Sequence, residues 1–498
     1  MYRRWPGNGN GNRKSVKIWN NDTVERMILE MDIGTYKKKA VEWIDHNSEE
    51  FEEIAKFMWT NPELGLEEYE AANKLTLVLE KYGFVVEKGV AGMPTAFVAE
   101  WGSGSPVVGY NAEYDALPGL SQKNFEDRKE PVVEGAPGHG CGHCILGTAE
   151  VMAAIALTRV MDEENIKGTV KVFGSPAEEL CVGKPFMARA GLYKGVDAFL
   201  DWHPWSYNKA HYDTCGAYFN VKYHFKGKNS HGNSPWQGRS ALDAAMLTGT
   251  AIEFLREHYE PAASDRANTI NYTFSETGPE FPSVVPDRAT LWCIGRFNSS
   301  KLLMDTLARV DDCAKAGALA TGTEVDREFI TASHEKIPNR TLSKVIYDNF
   351  VQLGAPHFSD YEQEMAKRMQ KFDGYDPDGL DENIMEFGTS GTVLCDTSEF
   401  SWNAPYATFW MTAAPNGAWH NWKVASCVGS SIGMKTMKKA AGLLAVSGLD
   451  LFTDGSIIAD AKREWLERLA GEEFVSLIPE GTEPPLGINK STMDKYRK

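Results

Sequence analysis

Apolar positions change their spacing several times along this chain, and each change marks an element. From residue 35 to 60, Ala40, Ile44, Phe51, Ile54, Ala55 and Met58 recur at helical spacing, and Asn61-Pro62 stops the run. Glu67 to Tyr82 predicts a second helix, closed by Gly83. FVVEKGV, TAFVAEWG and PVVGYNA are strand-like, as are GTVKVFG, VDAFLDWHPW and, near the far end, YATFWMT. Between them runs a long apolar stretch in which Ile145, Met152, Ile155, Ala156 and Val160 share one helical face. Strands alternating with helices imply an α/β fold: a mostly parallel sheet with helices on both faces.

From about Cys215 to Lys336 the texture differs. The order is strand (AYFNVKYHFKG), helix (SALDAAMLTGTAIEFLREHY), strand (TINYTFSE), strand (ATLWCIGRF), helix (KLLMDTLARVDDCAKAGALA), strand (EVDREFITAS). Two helices over four antiparallel strands make a smaller α+β unit. It reads as an insertion, because the α/β texture resumes at SKVIYDNFVQLGA. The expected organisation is an N-terminal extension over 1–34, a discontinuous α/β domain over 35–214 and 337–498, and the inserted unit over 215–336. Residues 360–386 read as helix and loop, VASCVGSSIGMKTMKKAAGLLAVSGLDLF as a single buried helix, and the tail after Leu477 as a surface strap.

Composition narrows the class of function. At 498 residues the chain exceeds one ordinary core. Its net charge of −17 is spread along the chain, which argues against a nucleic-acid partner. Eight cysteines are too dilute for a disulfide scaffold and suit a reducing compartment. The basic N-terminus has no apolar core behind it, and no apolar run is long enough to span a bilayer. The expectation is a cytoplasmic protein acting on a small molecule, with no membrane.

Candidate chemistry centres on GAPGHGCGHCILG, which packs His139, Cys141, His143 and Cys144 into six residues where a Gly-rich loop enters a helix. A helix N-terminus favours a thiolate, and thiolate with imidazole is a ligand pair for a borderline metal. C-x-x-C alone also suits a redox dithiol, or half a zinc ribbon if a second C-x-x-C existed, which it does not. Haem attachment would need His where Ile145 stands, and a dithiol leaves the two histidines unexplained.

Further groups sit at the carboxyl ends of expected strands, where ligands of parallel sheets gather. They are Glu113 and Asp115, Glu178 and Glu179, His203, and His420. Cys141, His143, Glu179, His203 and His420 are too many for one tetrahedral zinc with an open position and suit two divalent ions. Such a pair polarises a carbonyl oxygen and activates water near neutral pH. Glu178 is placed to take the water's proton. Asp115 suits a hydrogen bond to the far nitrogen of a ligating histidine. Glu113 is either a support to the ligands or pocket wall. His231, in a Gly/Ser/Pro-rich turn, reads as an oxyanion donor or as surface decoration. Arg296 reads as a carboxylate partner or an ordinary surface ion pair.

NPELGLEEYEAA, AEYDALPGLSQ, GHGCGHCILGTA, GSPAEE, HPW, SHGNSPWQGRSALDA, VVPDRA and WHNW follow one another between about residue 36 and 470. With these motifs the chain resembles the aminoacylase/carboxypeptidase family of two-metal hydrolases. It looks most like the amidohydrolase branch that contains aminobenzoyl-glutamate utilisation protein B and the auxin-conjugate hydrolases. The resemblance implies Cys141, His143, Glu179, His203 and His420 as ligands of two divalent ions, Mn2+ or Zn2+, and Glu178 as general base. Asp115 matches the family's catalytic aspartate. His231 matches a histidine that reaches the neighbouring subunit's site, so the 215–336 unit would be a lid and homodimerisation domain. Arg296 matches a carboxylate-gripping arginine.

Departures fall at Cys144 (usually Asp or Asn), Ser283 (usually Asn, touching the substrate carbonyl), Asn271 (often His) and LCDTSEFSW (in place of a Gly-Ser-Thr-Asp loop). All are expected to touch the pocket, with Arg296, Ser283, Asn271 and Glu113 meeting substrate. Trp202, Trp205, Trp236, Trp402, Trp419 and Trp422 stand beside motif residues and hint at an aromatic substrate moiety. The implied activity is hydrolysis of the amide C–N bond of a small N-acyl or aromatic-acyl amino acid. Its rivals are another C–N hydrolysis (aromatic amine deamination, carbamate or dipeptide cleavage), a non-catalytic metal-binding relative, and a thiol redox protein.

Overall fold

The structure is a computed structural model and describes residues 34–260, 268–388 and 395–497. Residues 1–33 of the expected extension lie outside the described residues. The strands are β1 (Val85–Lys88), β2 (Phe97–Ser103), β3 (Val107–Ala112), β4 (Gly168–Gly174), β5 (Ala198–Trp205), β6 (Lys209–His211), β7 (Ala217–Lys226), β8 (Thr269–Glu276), β9 (Arg288–Phe297), β10 (Glu324–Ser333) and β11 (Tyr406–Thr412). The helices that frame them include α1 (Thr35–Thr60), α2 (His143–Glu163), α3 (Gly183–Arg189), α4 (Ala241–Leu255), α5 (Ser300–Thr321), α6 (Arg340–Leu353) and α7 (Ser431–Thr453).

Seven strands form one sheet in the order β1-β2-β4-β3-β5-β11-β6. Its centre, β4-β3-β5-β11, is parallel, and antiparallel pairs flank it on both sides. Every residue of β11 is buried, as expected for a strand covered on both faces. One face packs against α2, α6 and α7 around Met152, Leu157 and Leu444, and α1 lies over α2 and α7. The other face carries a ring cluster of Phe173, Tyr193, Phe199 and Phe400, with Phe199 and Phe400 centroids 4.5 Å apart, and the short α3. The α/β expectation is met.

The second sheet is antiparallel throughout, in the order β10-β7-β9-β8. Helices α4 and α5 cover it and lie close together at Gly317, where a Cβ would come within 2.5 Å of the Thr248 hydroxyl. Phe219 and Ile330 of this sheet join the same apolar cluster as Phe173 and Phe199, so the two sheets share packing.

Three expectations need correction. The run 424–452 is not one helix: Trp422–Val428 ends at Gly429, and Ser430 caps α7 by accepting from the Ile432 N–H. The Trp59 indole fills the space of a Gly429 Cβ, so the chain turns where the ring sits. The tail carries its own helix, Lys490–Tyr496, which buries Met493, and Arg497 pairs with Glu67 at 3.0 Å. Finally, α2 is long and apolar enough to cross a membrane, although 94% of that window is buried inside the fold.

Candidate metal centre

The Gly-rich loop reaches α2 through Gly142, at φ 93°, a left-handed conformation glycine adopts without strain. At Gly147 a Cβ would lie 2.3 Å from the Glu113 carbonyl oxygen. That close approach holds the first turns of α2 against the carboxyl end of β3. Cys141 and His143 are thereby buried facing Glu113 and Asp115.

Hydrogen bonds fix which nitrogens point at the centre. His143 donates from Nδ1 to Asp115 Oδ1 at 2.7 Å, and its buried Nε2 has no hydrogen-bond partner among the described residues. His203 donates from Nδ1 to the Pro204 carbonyl at 2.7 Å, leaving Nε2 3.4 Å from Cys141 Sγ. Both rings thus present an Nε2 lone pair, with the tautomer set by the opposite nitrogen. Asp115 also accepts from the Glu179 N–H at 3.0 Å, so one carboxylate orients a histidine and the Glu178-Glu179 turn together. His420, in the left-handed region at φ 53°, stands 3.4 Å from Glu179 Oε2.

The Glu178-Glu179 turn is itself strained. Ala177 and Cys181, on either side, are non-glycine residues at φ 54° and 53°. Buried Glu68 accepts the Ala177 N–H at 2.8 Å, and a Cβ on Gly65 would lie 2.8 Å from Ala177. Such strain persists only where surrounding packing over-determines it.

Three sets of donor atoms each gather within 4.8 Å: Cys141, His143 and His203; Cys141, Glu179 and His420; Glu113, His143 and Glu178. Cys141 belongs to the first two. A soft thiolate shared between an imidazole pair and a carboxylate-imidazole pair fits two adjacent divalent ions. Orphaned buried atoms say the same: His143 Nε2, Glu113 Oε2 and Glu179 Oε1 lack hydrogen-bond partners. Burial pushes Glu178 well above the usual carboxylate range, and Glu113, Asp396 and Glu179 push it further. Burial likewise raises Glu179 to about 7. Burial lowers His203 to about 4, so its imidazole is neutral and free to ligate. Buried carboxylates packed this densely need a cation.

The residues expected as ligands therefore meet. Glu178 lines the same cavity, its Oε2 3.9 Å from His143 Nε2. Arg296 lines it too, stacked over Tyr218 at 5.8 Å and donating to Asn271 at 3.3 Å. The cavity, of about 530 Å³, has an aromatic wall of Trp205 against Trp410 (4.5 Å) and Trp419 (4.6 Å). Other residues fall elsewhere. Asn271 and Ser283 are exposed and do not line the cavity, and His139 turns away to the Met58 carbonyl. Cys144 packs into the core, and its thiol is pushed up to about 12 by burial. Trp236 is exposed, while Trp402 and Trp422 are buried in apolar clusters away from the cavity. His231 is exposed and outside the cavity of its own chain, held by an Asn233 N–H bond to its Nδ1.

Sequence reasoning missed Lys184 and gave Asp396 no role. Lys184 is fully buried, 2.8 Å from Glu113 Oε1 and 2.6 Å from Asp396 Oδ1. Burial would raise Glu113, but the Lys184 ammonium outweighs it and holds the carboxyl low. A lone lysine reads as surface. The available signal was its apolar setting between Val182 and Pro185-Phe186-Met187. Lys184→Met leaves two buried carboxylates without their cation, and removing one partner of a buried pair costs ~3–5 kcal/mol. A correspondingly lowered urea midpoint is expected, and an unchanged midpoint contradicts the pairing.

Residues 109–421 match the family model for peptidase family M20/M25/M40. The chain is 32% identical over 471 residues to one of the p-aminobenzoyl-glutamate hydrolase subunits of Escherichia coli, covering 89% of this chain and 97% of that protein. It is 28% identical over 460 residues to the Xaa-Arg dipeptidase of Mus musculus, covering 89% and 95%. Among solved structures, a dinuclear metal binding peptidase of the M20 family from Bacillus subtilis superposes with TM-score 0.52 at 17% identity, over 81% of this chain and 98% of that one. That last likeness is one of fold.

Proposed function

The chain belongs to peptidase family M20/M25/M40, and from that premise we propose that it is a two-metal amidohydrolase cleaving the amide C–N bond of a small N-acyl or aromatic-acyl amino acid. The observation that carries this reading is Cys141, common to two three-residue donor sets, with the Glu178 carboxylate facing the same cavity. Two divalent ions held there, Mn2+ or Zn2+, would polarise the amide carbonyl and bring water's ionisation toward neutral pH.

The chain's own groups do the rest. Arg296 pairs with the substrate carboxylate, and the Trp205–Trp410–Trp419 wall takes a flat acyl group. Glu178 takes a proton from the attacking water. The water oxygen bonds to the acyl carbon as the C–N bond breaks, and Glu178 passes its proton to the departing amine. Asp115 keeps His143 in the tautomer that leaves Nε2 free. The exposed edge strand β8 and the exposed Met246, Leu247 and Phe254 of α4 support pairing of two chains through the second sheet, with His231 serving the partner's site.

The test is elemental analysis of the purified protein with a panel of N-acyl amino acids, dipeptides and aromatic amines under Mn2+ and under Zn2+. Sedimentation of the same sample reads the dimer. Chelator-sensitive release of an amino acid from acyl substrates is expected. A metal-loaded protein that deaminates aromatic amines and leaves every amide intact overturns the reading.

A further inference from the structure

Lys336 lines the same cavity and belongs neither to the metal centre nor to the groups that act on the amide. It lies three residues beyond the end of β10, where the chain leaves the second sheet, and it is only 5% exposed. Among the described residues no carboxylate lies within ion-pair distance of its Nζ, and no side-chain hydrogen bond engages it. Its near neighbour is the face of Tyr406, 5.4 Å from Nζ to the ring centroid. Burial disfavours its charge, while the Cys395 and Cys215 thiols and the Asp213 and Asp201 carboxyls favour it and keep it protonated. A buried ammonium with no carboxylate in contact is uncommon, because losing water without gaining a carboxylate partner is costly.

The acids around the cavity are already committed. Glu113 is held by Lys184, Asp201 accepts from the Tyr406 hydroxyl at 2.7 Å, and Glu178 and Glu179 belong to the metal centre. Strand register then places Lys336 relative to Arg296. Ser333 of β10 pairs with Tyr218 of β7, and Tyr218 pairs with Arg296 of β9. Ser333 and Arg296 are thus two strand spacings apart, roughly 10 Å of backbone, and Lys336 follows three residues beyond Ser333 at the same end of the sheet, where its N–H donates to the Cys215 carbonyl at 3.1 Å. Long side chains from those positions reach into the one cavity they both line.

We propose that Lys336 is a specificity-determining residue which, with Arg296, forms a two-cation subsite for an amino-acid moiety bearing two carboxylates. The substrate is then an N-acyl acidic amino acid: Arg296 takes one carboxylate and Lys336 the other. The inference rests on the amide-hydrolase reading and narrows it. It also separates this chain from a dipeptidase selecting a basic residue, since a cationic side chain would meet Lys336 with like charge.

The experiment compares kcat/KM for N-benzoyl-glutamate and N-benzoyl-glutamine, nearly isosteric and different in charge, on the metal-loaded enzyme. Wild type is expected to favour the glutamate compound by on the order of tenfold to a hundredfold, mainly through KM, as a charge-assisted hydrogen bond implies. In Lys336→Met the ratio falls toward one, whatever the absolute rate, and Lys336→Arg restores part of it. Lys336→Glu shifts preference toward N-benzoyl-arginine. Equal wild-type use of the two benzoyl substrates, which needs no variant to fold, overturns the subsite while leaving the hydrolase reading intact. A preference retained in Lys336→Met moves it to another residue. Release of an amino acid from neither compound, nor from any other acyl amino acid, removes the hydrolase reading itself and the subsite with it.

Discussion

Glu178→Gln is expected to keep its fold and its metal content while losing roughly 10²–10⁴ in kcat, the usual contribution of positioned proton transfer. The amide has nearly the carboxylate's shape, so the turn held by Glu68 and Asp115 has no reason to move. What disappears is a base in a buried, carboxylate-rich setting. Burial and the neighbouring Glu113, Asp396 and Glu179 raise Glu178, and Lys184 opposes them. A raised carboxyl loses its proton at higher pH, so wild-type kcat/KM should fall as the solution is acidified through that ionisation. In the variant this acid limb should vanish along with the rate. The readouts are kcat, kcat/KM against pH, and metal per chain. Near-normal turnover with metals in place removes Glu178 from the chemistry.

Cys141→Ala carries the second large effect. The thiolate is common to the His143–His203 set and to the Glu179–His420 set, so its loss weakens both positions at once. Metal content is expected to drop from about two ions per chain to well below one, with activity near background. His420→Ala strips a donor from one set alone and should leave about one ion bound. Thermal stability reports independently of catalysis. An ion at 100 times its dissociation constant stabilises the folded state by about 2.7 kcal/mol, and Cys141→Ala should no longer show a metal-dependent rise in Tm. A variant that binds two ions as tightly as wild type shows that Cys141 is not the shared ligand.

Much of this architecture was legible before any coordinates. The period changes gave the strands of both sheets within a few residues, except the three-residue β6, because most strands are apolar-rich runs bounded by turn residues and α1 shows one apolar face, whereas Lys209–His211 is too short to show a period. The donor residues were legible because a Gly-rich His/Cys loop and acids at strand ends are unusual chemistry in fixed places. The broken helix at Gly429 was not, since nothing local shows that the Trp59 ring occupies the space beside it. Nor was the fate of the tryptophans. Trp236 and Trp205 stand equally close to motif residues in sequence, yet one is exposed and the other forms the cavity wall.

Local order in the sequence determined which elements form and which donors exist, because helix and strand periods and turn chemistry act over a few residues. Tertiary structure alone decided the pairings. Lys184 meets Asp396 across 212 positions of chain, and Cys141 meets His203 across 62. Lys336 comes to line the cavity together with Arg296, with no carboxylate among the described residues in ion-pair contact. Whether a buried charge is cancelled by its own chain or left for a ligand depends on three-dimensional proximity and desolvation, and neither leaves a trace in the spacing of residues.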